Sequence, residues 1–310
     1  MLPVSQSSYP VRPVIYANQP PDVVKAPALA SYTTDQAARQ LLRTSHERGF
    51  KWQDRNRDGV VDIAYEFFTP DNPHAVSHVP KGASELSEHQ KKLARMSMQA
   101  WADVARITFS ENSASTEGRL TLGLYAGDGE SYASLPYPRD VKKGGEAWLD
   151  KGHAQPSTDR YDRQVMAHEI GHTLGLDHPG DYSQQPAARH YLQDTQAYSL
   201  MSYNPEIRSG QNFSKNGEWT HYPTAPMLHG IAAVQALYGS NHKTRSGNTV
   251  YGFNSNTDRD YYSLTSSRDA PVFCIWDGGG IDTLDCSGFD KQQTLNLNAE
   301  AFSDVGGMKG

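Results

Sequence analysis

The segment HEIGHTLGLDH, residues 168–178, spaces three histidines and a glutamate as a metal-dependent hydrolase requires. If the segment is helical, His168 and His172 project from one face about 5–6 Å apart at Cβ, so both rings can bind one Zn²⁺. Glu169 then points beside the ion, where it can accept a proton from an attacking water molecule. These positions predict a zinc site with Glu169 as its catalytic base.

Gly175 determines where the third histidine of this segment lies. A helix that continued past this position would carry His178 away from the ion. Glycine adopts positive φ without strain, so it can end the helix and turn the chain sharply. His178 then completes a three-histidine site with an open fourth position, which is typical of catalytic zinc, whereas structural zinc normally has a fourth protein ligand.

A methionine-containing segment, SLMSY at residues 199–203, follows the histidine motif. The sequence HExxHxxGxxH with a downstream methionine resembles the pattern of the metzincin proteases. In those proteins the methionine lies in a tight turn beneath the zinc and forms an apolar floor. The resemblance gives that role to Met201.

Helix-like and strand-like periodicities surround the motif and should position it. The predicted elements are a helix capped by Thr34 with Ala38, Leu41 and Leu42 on its apolar side; a strand with Val61, Ile63, Tyr65 and Phe67 on one face; a helix from about Leu86 to Ala105 with a capping box of Ser87 and Gln90; strands at Ile107–Ser110, Arg119–Tyr125 and Gly144–Asp150; and a helix from Met227 to Tyr238 that ends at Gly239.

Composition excludes two classes of protein and divides the chain. The formal net charge of −6 leaves no basic surplus for a nucleic-acid partner, and no apolar run reaches the roughly 18 residues of a membrane span. We expect residues 1–30, which are rich in proline, to be an extended leader or a propeptide-like segment. Residues 31–239 should form the zinc domain, and residues 240–310 the start of a second, β-rich domain.

The chain resembles the serralysin family of bacterial alkaline zinc metalloproteases from about Ala30 to its last residue. The shared motifs are HPGDY (178–182), Tyr203 two residues after Met201, HY (221–222), IAAVQALYG (231–239), TVYGFNSNTDRDYY (249–262) and FSDVGGMKG (302–310). This resemblance implies an α+β metzincin domain, with a twisted mixed sheet and long helices, followed by a short truncated β-rich segment.

The resemblance also implies a function and further site residues. It implies a zinc metalloendopeptidase that hydrolyses peptide bonds in proteins. In serralysins the tyrosine at the position of Tyr203 can bind the resting zinc and later hydrogen-bond the oxyanion. The segment Gly144–Asp150 resembles the edge strand along which an extended substrate pairs.

Two loops resemble the structural calcium site of the same family. Hard carboxylate and carbonyl oxygens suit Ca²⁺, and glycines allow backbone carbonyls to turn towards an ion. The alternative is a plain glycine-rich hairpin turn. The matching positions are Arg245, Gly247 and Thr249 in one loop and Asp277, Gly279, Gly280 and Asp282 in the other.

From the family we expect a secreted, extracellular bacterial protein without a Sec-type signal peptide. Its partners would be protein or peptide substrates and a proteinaceous protease inhibitor, and the chain would be a monomer. Two features depart from the family pattern. The calcium-binding GGxGxDxUx repeats that form a β-roll do not occur before Gly310, and His229 and Gly230 replace acidic residues that family members often carry.

Two further interpretations concern weaker patterns. The segment DRNRDGVVD (54–62) imitates a calcium loop, but Tyr65 stands where the bidentate glutamate belongs, so we predict a solvated turn. Cys274 and Cys286 either pair or stay free.

The alternative to an active enzyme is a latent or non-catalytic zinc-containing binding module or toxin cargo derived from the same fold.

Overall fold

Helices and strands follow one another along the chain, and the strands form two sheets. The computed structural model describes residues 29–71, 76–127, 129–141, 144–151, 159–183, 188–213, 222–270 and 272–306. The helices are α1 (Thr34–Leu41), α2 (Arg43–Arg48), α3 (Glu88–Val104), α4 (Asp159–Thr173) and α5 (Leu228–Tyr238). The strands are β1 (Val61–Phe67), β2 (Ile107–Glu111), β3 (Gly118–Tyr125), β4 (Tyr132–Ala133), β5 (Glu146–Asp150), β6 (Val250–Phe253), β7 (Ser263–Leu264) and β8 (Thr283–Asp285). The predicted α+β class is confirmed.

The first sheet has five strands in the order β2-β1-β3-β5-β4 within the described residues. Strands β1, β2, β3 and β5 are mutually parallel, and β4 alone is antiparallel, opposite β5. The strands expected at 61–67, 107–110 and 119–125 are all present, because alternating apolar residues there face the core.

The expectation that Gly144–Asp150 forms the edge strand is wrong. Strand β5 lies between β3 and β4, and all five of its residues are buried. The edge strand on this side of the sheet is β4, where Tyr132 is 42% exposed. A continuous apolar run, Ala147 to Leu149, is typical of a strand covered on both faces rather than of an edge.

Helix α3 supports the helix that carries the metal motif. The Ser87 side chain and Gln90 form the predicted capping box at its N-terminus. Trp101 is fully buried, and its indole Nε1 donates to the Ala167 carbonyl at 2.9 Å. The acceptor, Ala167, directly precedes His168, so the packing of α3 in the core fixes the position of the metal motif.

The helix α1 begins one residue earlier than predicted. Its N-cap is Thr33, not Thr34, since Thr33 exchanges capping-box bonds with Gln36. The three-residue spacing between these two side chains selects Thr33 over its neighbour. At the other end of the domain, α5 ends at Gly239 as predicted, with φ +81°.

His229 and Gly230, which depart from the family pattern, lie in the first turn of α5 and are buried. His229 is buried, its ring stacks on Tyr198 with centroids 4.9 Å apart, and its amide donates to the Tyr198 carbonyl. Gly230 faces Trp101. At the two positions where family members often carry acidic residues, this chain therefore packs a histidine and a glycine against aromatic rings.

In the described residues of the C-terminal part, three parallel strands form a second sheet in the order β7-β6-β8. It is joined to α3 through the buried carboxylate of Asp103, which accepts bonds from Arg245 and from two nitrogens of Arg259. Cys274 and Cys286 are free thiols. No helix in the described part of the chain is both long enough and apolar enough to span a bilayer.

The segment 54–62 is a turn that leads into a strand, as predicted. Asp54 accepts backbone bonds from Arg57 and Gly59, and Asp58 accepts one from Val60. The carboxylates are therefore used to hold the turn itself.

Candidate active site

Helix α4 and the turn after it bring three predicted metal ligands together. His168 and His172 lie one helical turn apart in α4, which ends at Thr173. Gly175 follows with φ +102°, so the chain turns and returns His178 to the same place. The Nε2 atoms of the three histidines are each 3.1 Å from the other two. Among the described residues, this triad is the group whose ligand atoms lie close enough together to hold a metal ion.

Backbone carbonyls fix the orientation of two of these rings. His168 Nδ1 lies 2.7 Å from the Leu200 carbonyl, and His172 Nδ1 lies 2.6 Å from the Leu176 carbonyl. A carbonyl can only accept, so Nδ1 carries the proton and Nε2 presents a lone pair. Lone pairs that converge in this way repel one another unless a cation lies between them. A tetrahedral Zn²⁺ with bonds of 2.0–2.1 Å requires nitrogens about 3.3 Å apart, so the residues fit this ion.

Burial keeps the three imidazoles neutral. Desolvation lowers the pKa of His168 to about 3, with a smaller contribution from nearby His172, and it lowers the pKa of His172 to about 4. It also lowers the pKa of His178 well below its ordinary value. Neutral imidazole is the form that binds a metal ion, so the rings are ready to act as ligands near neutral pH.

Glu169 lies in the same buried helix turn with an unpaired oxygen. The side chain is 4% exposed, and its Oε2 atom has no hydrogen-bond partner among the described residues. Desolvation raises the pKa of this carboxyl to about 8. A buried acceptor without a partner is costly, and a water molecule or substrate in the site would satisfy it.

Met201 lies under the helix that carries the histidines. It is fully buried, and a Cβ added to Gly171 would come within 2.7 Å of its sulfur. The absence of a side chain at position 171 allows this close approach. The Ser202 amide donates to the Ser199 carbonyl and closes a turn around Met201. The methionine floor expected from the resemblance has its counterpart here.

Tyr203 lies at the mouth of the histidine cluster. Its ring centroid is 4.6 Å from that of His178 and 5.5 Å from that of His168. The residue as a whole is 44% exposed, whereas its hydroxyl end is surrounded by protein atoms. Desolvation and, to a lesser degree, the nearby Glu169 carboxylate raise the pKa of the phenol above its ordinary value. The phenol therefore stays protonated as a hydrogen-bond donor.

A supporting group that the sequence did not reveal lies behind Tyr203. The Tyr182 ring stacks on Tyr203 with centroids 4.8 Å apart, and its hydroxyl donates to Asp194 Oδ1 at 2.5 Å. Ser202 Oγ donates to the same oxygen at 2.7 Å. Tyr182 was visible only as the last letter of the HPGDY motif, and no local pattern marked Asp194. Together they fix the ring against which Tyr203 packs.

The two predicted calcium loops lie against each other at the start of the second sheet. The Thr249 amide donates to Asp282 Oδ1 at 3.0 Å, and a Cβ on Gly280 would lie 2.4 Å from the Gly247 carbonyl oxygen. Asp277 accepts bonds from the Gly279 amide and the Tyr251 hydroxyl.

The Arg245 side chain bonds to groups outside the predicted set of calcium ligands. The guanidinium donates to Asp103 at 2.8 Å and to the Trp276 carbonyl at 2.7 Å. Its φ of +49° places it in the left-handed region.

Parts of three sequence predictions lie outside the described residues. These are residues 1–28 of the leader, His221 of the HY motif, and the last four residues of FSDVGGMKG.

Two family models match the chain. One, described as Metallo-peptidase family M12B Reprolysin-like, matches residues 83–222, and the other, Peptidase M10 serralysin C terminal, matches residues 240–310. The first therefore covers the histidine motif and Tyr203. The second covers the two glycine-rich loops and the second sheet.

Individual relatives align over most of the chain. Metalloprotease AprA of Pseudomonas entomophila (strain L48) is 47% identical over 292 residues, which is 90% of this chain and 59% of that protein. Serralysin B of Dickeya chrysanthemi is 38% identical over 314 residues, covering 95% of this chain and 63% of that protein. Serralysin of Photorhabdus laumondii is 40% identical over 292 residues, covering 88% and 58%. The chain thus spans 58% to 63% of the length of these relatives.

Proposed function

The chain belongs to the serralysin family over the region that it shares with these relatives, and on that premise we propose that it is a zinc-dependent endopeptidase. The observation that supports this most directly is the convergence of three neutral imidazoles, with their Nε2 atoms 3.1 Å apart. We propose His168, His172 and His178 as the ligands of one Zn²⁺. The donor set of three histidines leaves a coordination position for water or substrate.

We propose that Glu169 moves the proton during hydrolysis. When bound, zinc supplies a Lewis acid that polarises the scissile carbonyl and lowers the pKa of a water molecule. Glu169 accepts the proton of the attacking water and then delivers it to the leaving amine nitrogen. Burial raises the pKa of its carboxyl, whereas the charge of a bound Zn²⁺ would lower it, and the balance of the two effects would set how readily this group takes up and releases the proton.

Tyr203 stabilises the negative charge that develops on the carbonyl oxygen. Its phenol is a neutral donor at the mouth of the site, and the stacked Tyr182 ring limits its movement. As the family resemblance implies, the same hydroxyl would also help to hold the ion in the resting protein. An extended substrate would pair with β4, the edge strand next to β5, rather than with β5 itself.

The Tyr203→Phe variant should lower kcat by about 10- to 10³-fold and change KM less, because the lost hydrogen bond strengthens in the transition state. Initial rates on a chromogenic peptide, measured over a range of substrate concentrations, separate the two constants. Tyr198→Phe is the matched control, since Tyr198 packs against His229 outside the histidine cluster. An unchanged kcat in Tyr203→Phe would remove this phenol from the mechanism.

Protease activity itself is tested with casein, with and without a zinc chelator, together with metal analysis of the purified protein. We expect about one zinc per chain and cleavage that the chelator abolishes and added zinc restores. A non-catalytic zinc module would contain the metal but cleave nothing. A latent precursor would begin to cleave once residues 1–30 are trimmed. Zinc-free protein without activity would contradict the proposal.

We also propose that the loops 245–249 and 277–282 bind a structural Ca²⁺. Two carboxylates, Asp277 and Asp282, lie in one loop, and the Gly247 carbonyl of the other loop is packed against it. Carboxylate and carbonyl oxygens are the ligands that Ca²⁺ prefers.

Calcium should stabilise the folded protein, and Asp282→Asn should remove most of that gain. At about 100 times the dissociation constant, a ligand stabilises by about 2.7 kcal/mol, which corresponds to a Tm increase of roughly 5–10 °C. Thermal unfolding in calcium and in EGTA measures the difference. Asp290→Asn is the control, because it removes the same charge at an exposed position of the same region. Equal calcium responses in the two variants would exclude Asp282 as a ligand.

The wider organisation follows from the same premise. We propose a leader at residues 1–30, the protease domain at 31–239 and the start of a β domain at 240–310. The protein would act outside the cell as a monomer on protein substrates and would be open to a proteinaceous inhibitor.

A further inference from the structure

The loop that carries His178 is tied to a corner of the chain more than a hundred residues away. This corner consists of residues 40–45, where α1 ends and α2 begins. The Asp177 amide donates to the Leu41 carbonyl at 2.7 Å, and the Thr44 amide donates to Asp177 Oδ2 at 2.8 Å. Asp177, directly before the third histidine, is thus held through both its backbone and its side chain.

Further bonds from the same corner reach the residues on either side of Asp177. Ser45 Oγ donates to the Gly175 carbonyl at 2.5 Å. Arg43 Nη1 donates to the backbone carbonyl of His178 itself at 2.5 Å, and it also donates to the Gln40 carbonyl at 2.8 Å. Gln40 Nε2 donates to the Pro179 carbonyl at 3.0 Å. Each of the loop residues 175, 177, 178 and 179 is therefore bonded to the corner.

These bonds matter because His178 differs from the other two histidines. His168 and His172 are placed by helix α4, whose own geometry sets the distance between them. His178 follows a glycine with φ +102°, and no regular element fixes its backbone. A ligand on a flexible loop must be ordered each time the ion binds. Residues that hold a metal ligand in position without touching the ion typically contribute about 10- to 100-fold to metal affinity.

We propose that the corner at residues 40–45, and Arg43 in particular, positions His178 as the third metal ligand before the ion arrives. Arg43 is a positioning residue, because it contacts the ligand's backbone and not the reacting atoms. The proposal rests on one part of the proposed function, namely that the three histidines bind a metal ion.

Charge and geometry make opposite predictions for Arg43, which allows a sharp test. The Arg43 cation acts electrostatically on His172 and His178 and disfavours further positive charge there. If that repulsion were its main effect, Arg43→Met would bind Zn²⁺ more tightly. If its bond to the His178 carbonyl dominates, the same variant would bind Zn²⁺ more weakly.

The experiment measures metal binding to the full chain rather than proteolysis. Arg43→Met should weaken Zn²⁺ affinity by about 10- to 100-fold in chelator competition and should speed the loss of zinc to EDTA. Its Co²⁺-substituted form should show a shifted and weaker visible absorption spectrum, which reports on the coordination geometry. Arg39→Met is the control, since Arg39 is an exposed arginine of α1 and should behave as the unsubstituted protein.

A second variant covers the case in which Arg43→Met fails to fold. Ser45→Ala removes the hydroxyl that reaches the Gly175 carbonyl and also the Phe50 carbonyl, but it leaves the Arg43 bond to His178 in place, so it should weaken zinc binding in the same direction by a smaller factor. Arg43→Lys retains one donor and should recover part of the lost affinity. Unchanged zinc affinity and an unchanged Co²⁺ spectrum in both Arg43→Met and Ser45→Ala would overturn the proposal. Failure of the unsubstituted chain to bind zinc would instead contradict the proposed function.

Discussion

Glu169→Gln should retain zinc and lose at least about 10²- to 10⁴-fold in kcat, because the amide cannot accept the proton of the attacking water. The side chains have nearly the same shape, and the three histidines that hold the metal are untouched. The loss should therefore appear in kcat and kcat/KM alike, with little change in KM. Steady-state peptide cleavage and metal analysis of the same preparation measure both parts.

Stability provides an independent check on the same variant. In the metal-free protein the Glu169 carboxylate is buried with an unpaired oxygen, which destabilises its charged form. A neutral amide of the same size removes that cost, so metal-free Glu169→Gln should be at least as stable as the unsubstituted protein. Glu85→Gln, at an exposed position before α3, should be fully active. Full activity in Glu169→Gln would show that another group acts as the base.

The sequence reveals those parts of the site that depend on short segments. The positions of His168, Glu169 and His172 follow from helical spacing, and the turn that returns His178 follows from one glycine. The start of α3 could likewise be predicted, because Ser87 and Gln90 stand three residues apart. In each case the residues that determine the structure are close neighbours along the chain.

Features that depend on distant segments could not be predicted in this way. Strand order is a property of the whole sheet, so β5 was expected at an edge although β4 covers it. Its run of apolar residues carried a signal of burial that the edge assignment did not take into account. The bond between Arg43 and the His178 carbonyl joins residues 135 positions apart. The sequence around either residue gives no sign that the other is its hydrogen-bond partner.

Gly175→Ala should damage both the fold and the metal site, since two costs coincide at this position. Alanine at φ +102° is strained by about 1–2 kcal/mol. Its Cβ would also lie 2.6 Å from the Phe50 carbonyl oxygen and 2.9 Å from Ser45 Oγ, so the loop must shift. We expect a loss of about 2–4 kcal/mol in the free energy of unfolding of the metal-free protein, measured by urea denaturation.

The shift should also move His178 and so weaken zinc binding, with a loss of about 10²-fold or more in kcat/KM at limiting zinc. Excess zinc should recover part of this activity, because binding energy can draw the loop back towards its place. Gly210→Ala separates strain from contact, since Gly210 also has positive φ, +90°, but a Cβ there meets nothing within 4 Å. It should cost only the strain and leave zinc affinity unchanged. If Gly175→Ala behaved like Gly210→Ala in both measurements, the close packing of this turn against Phe50 and Ser45 would have no part in placing the third ligand.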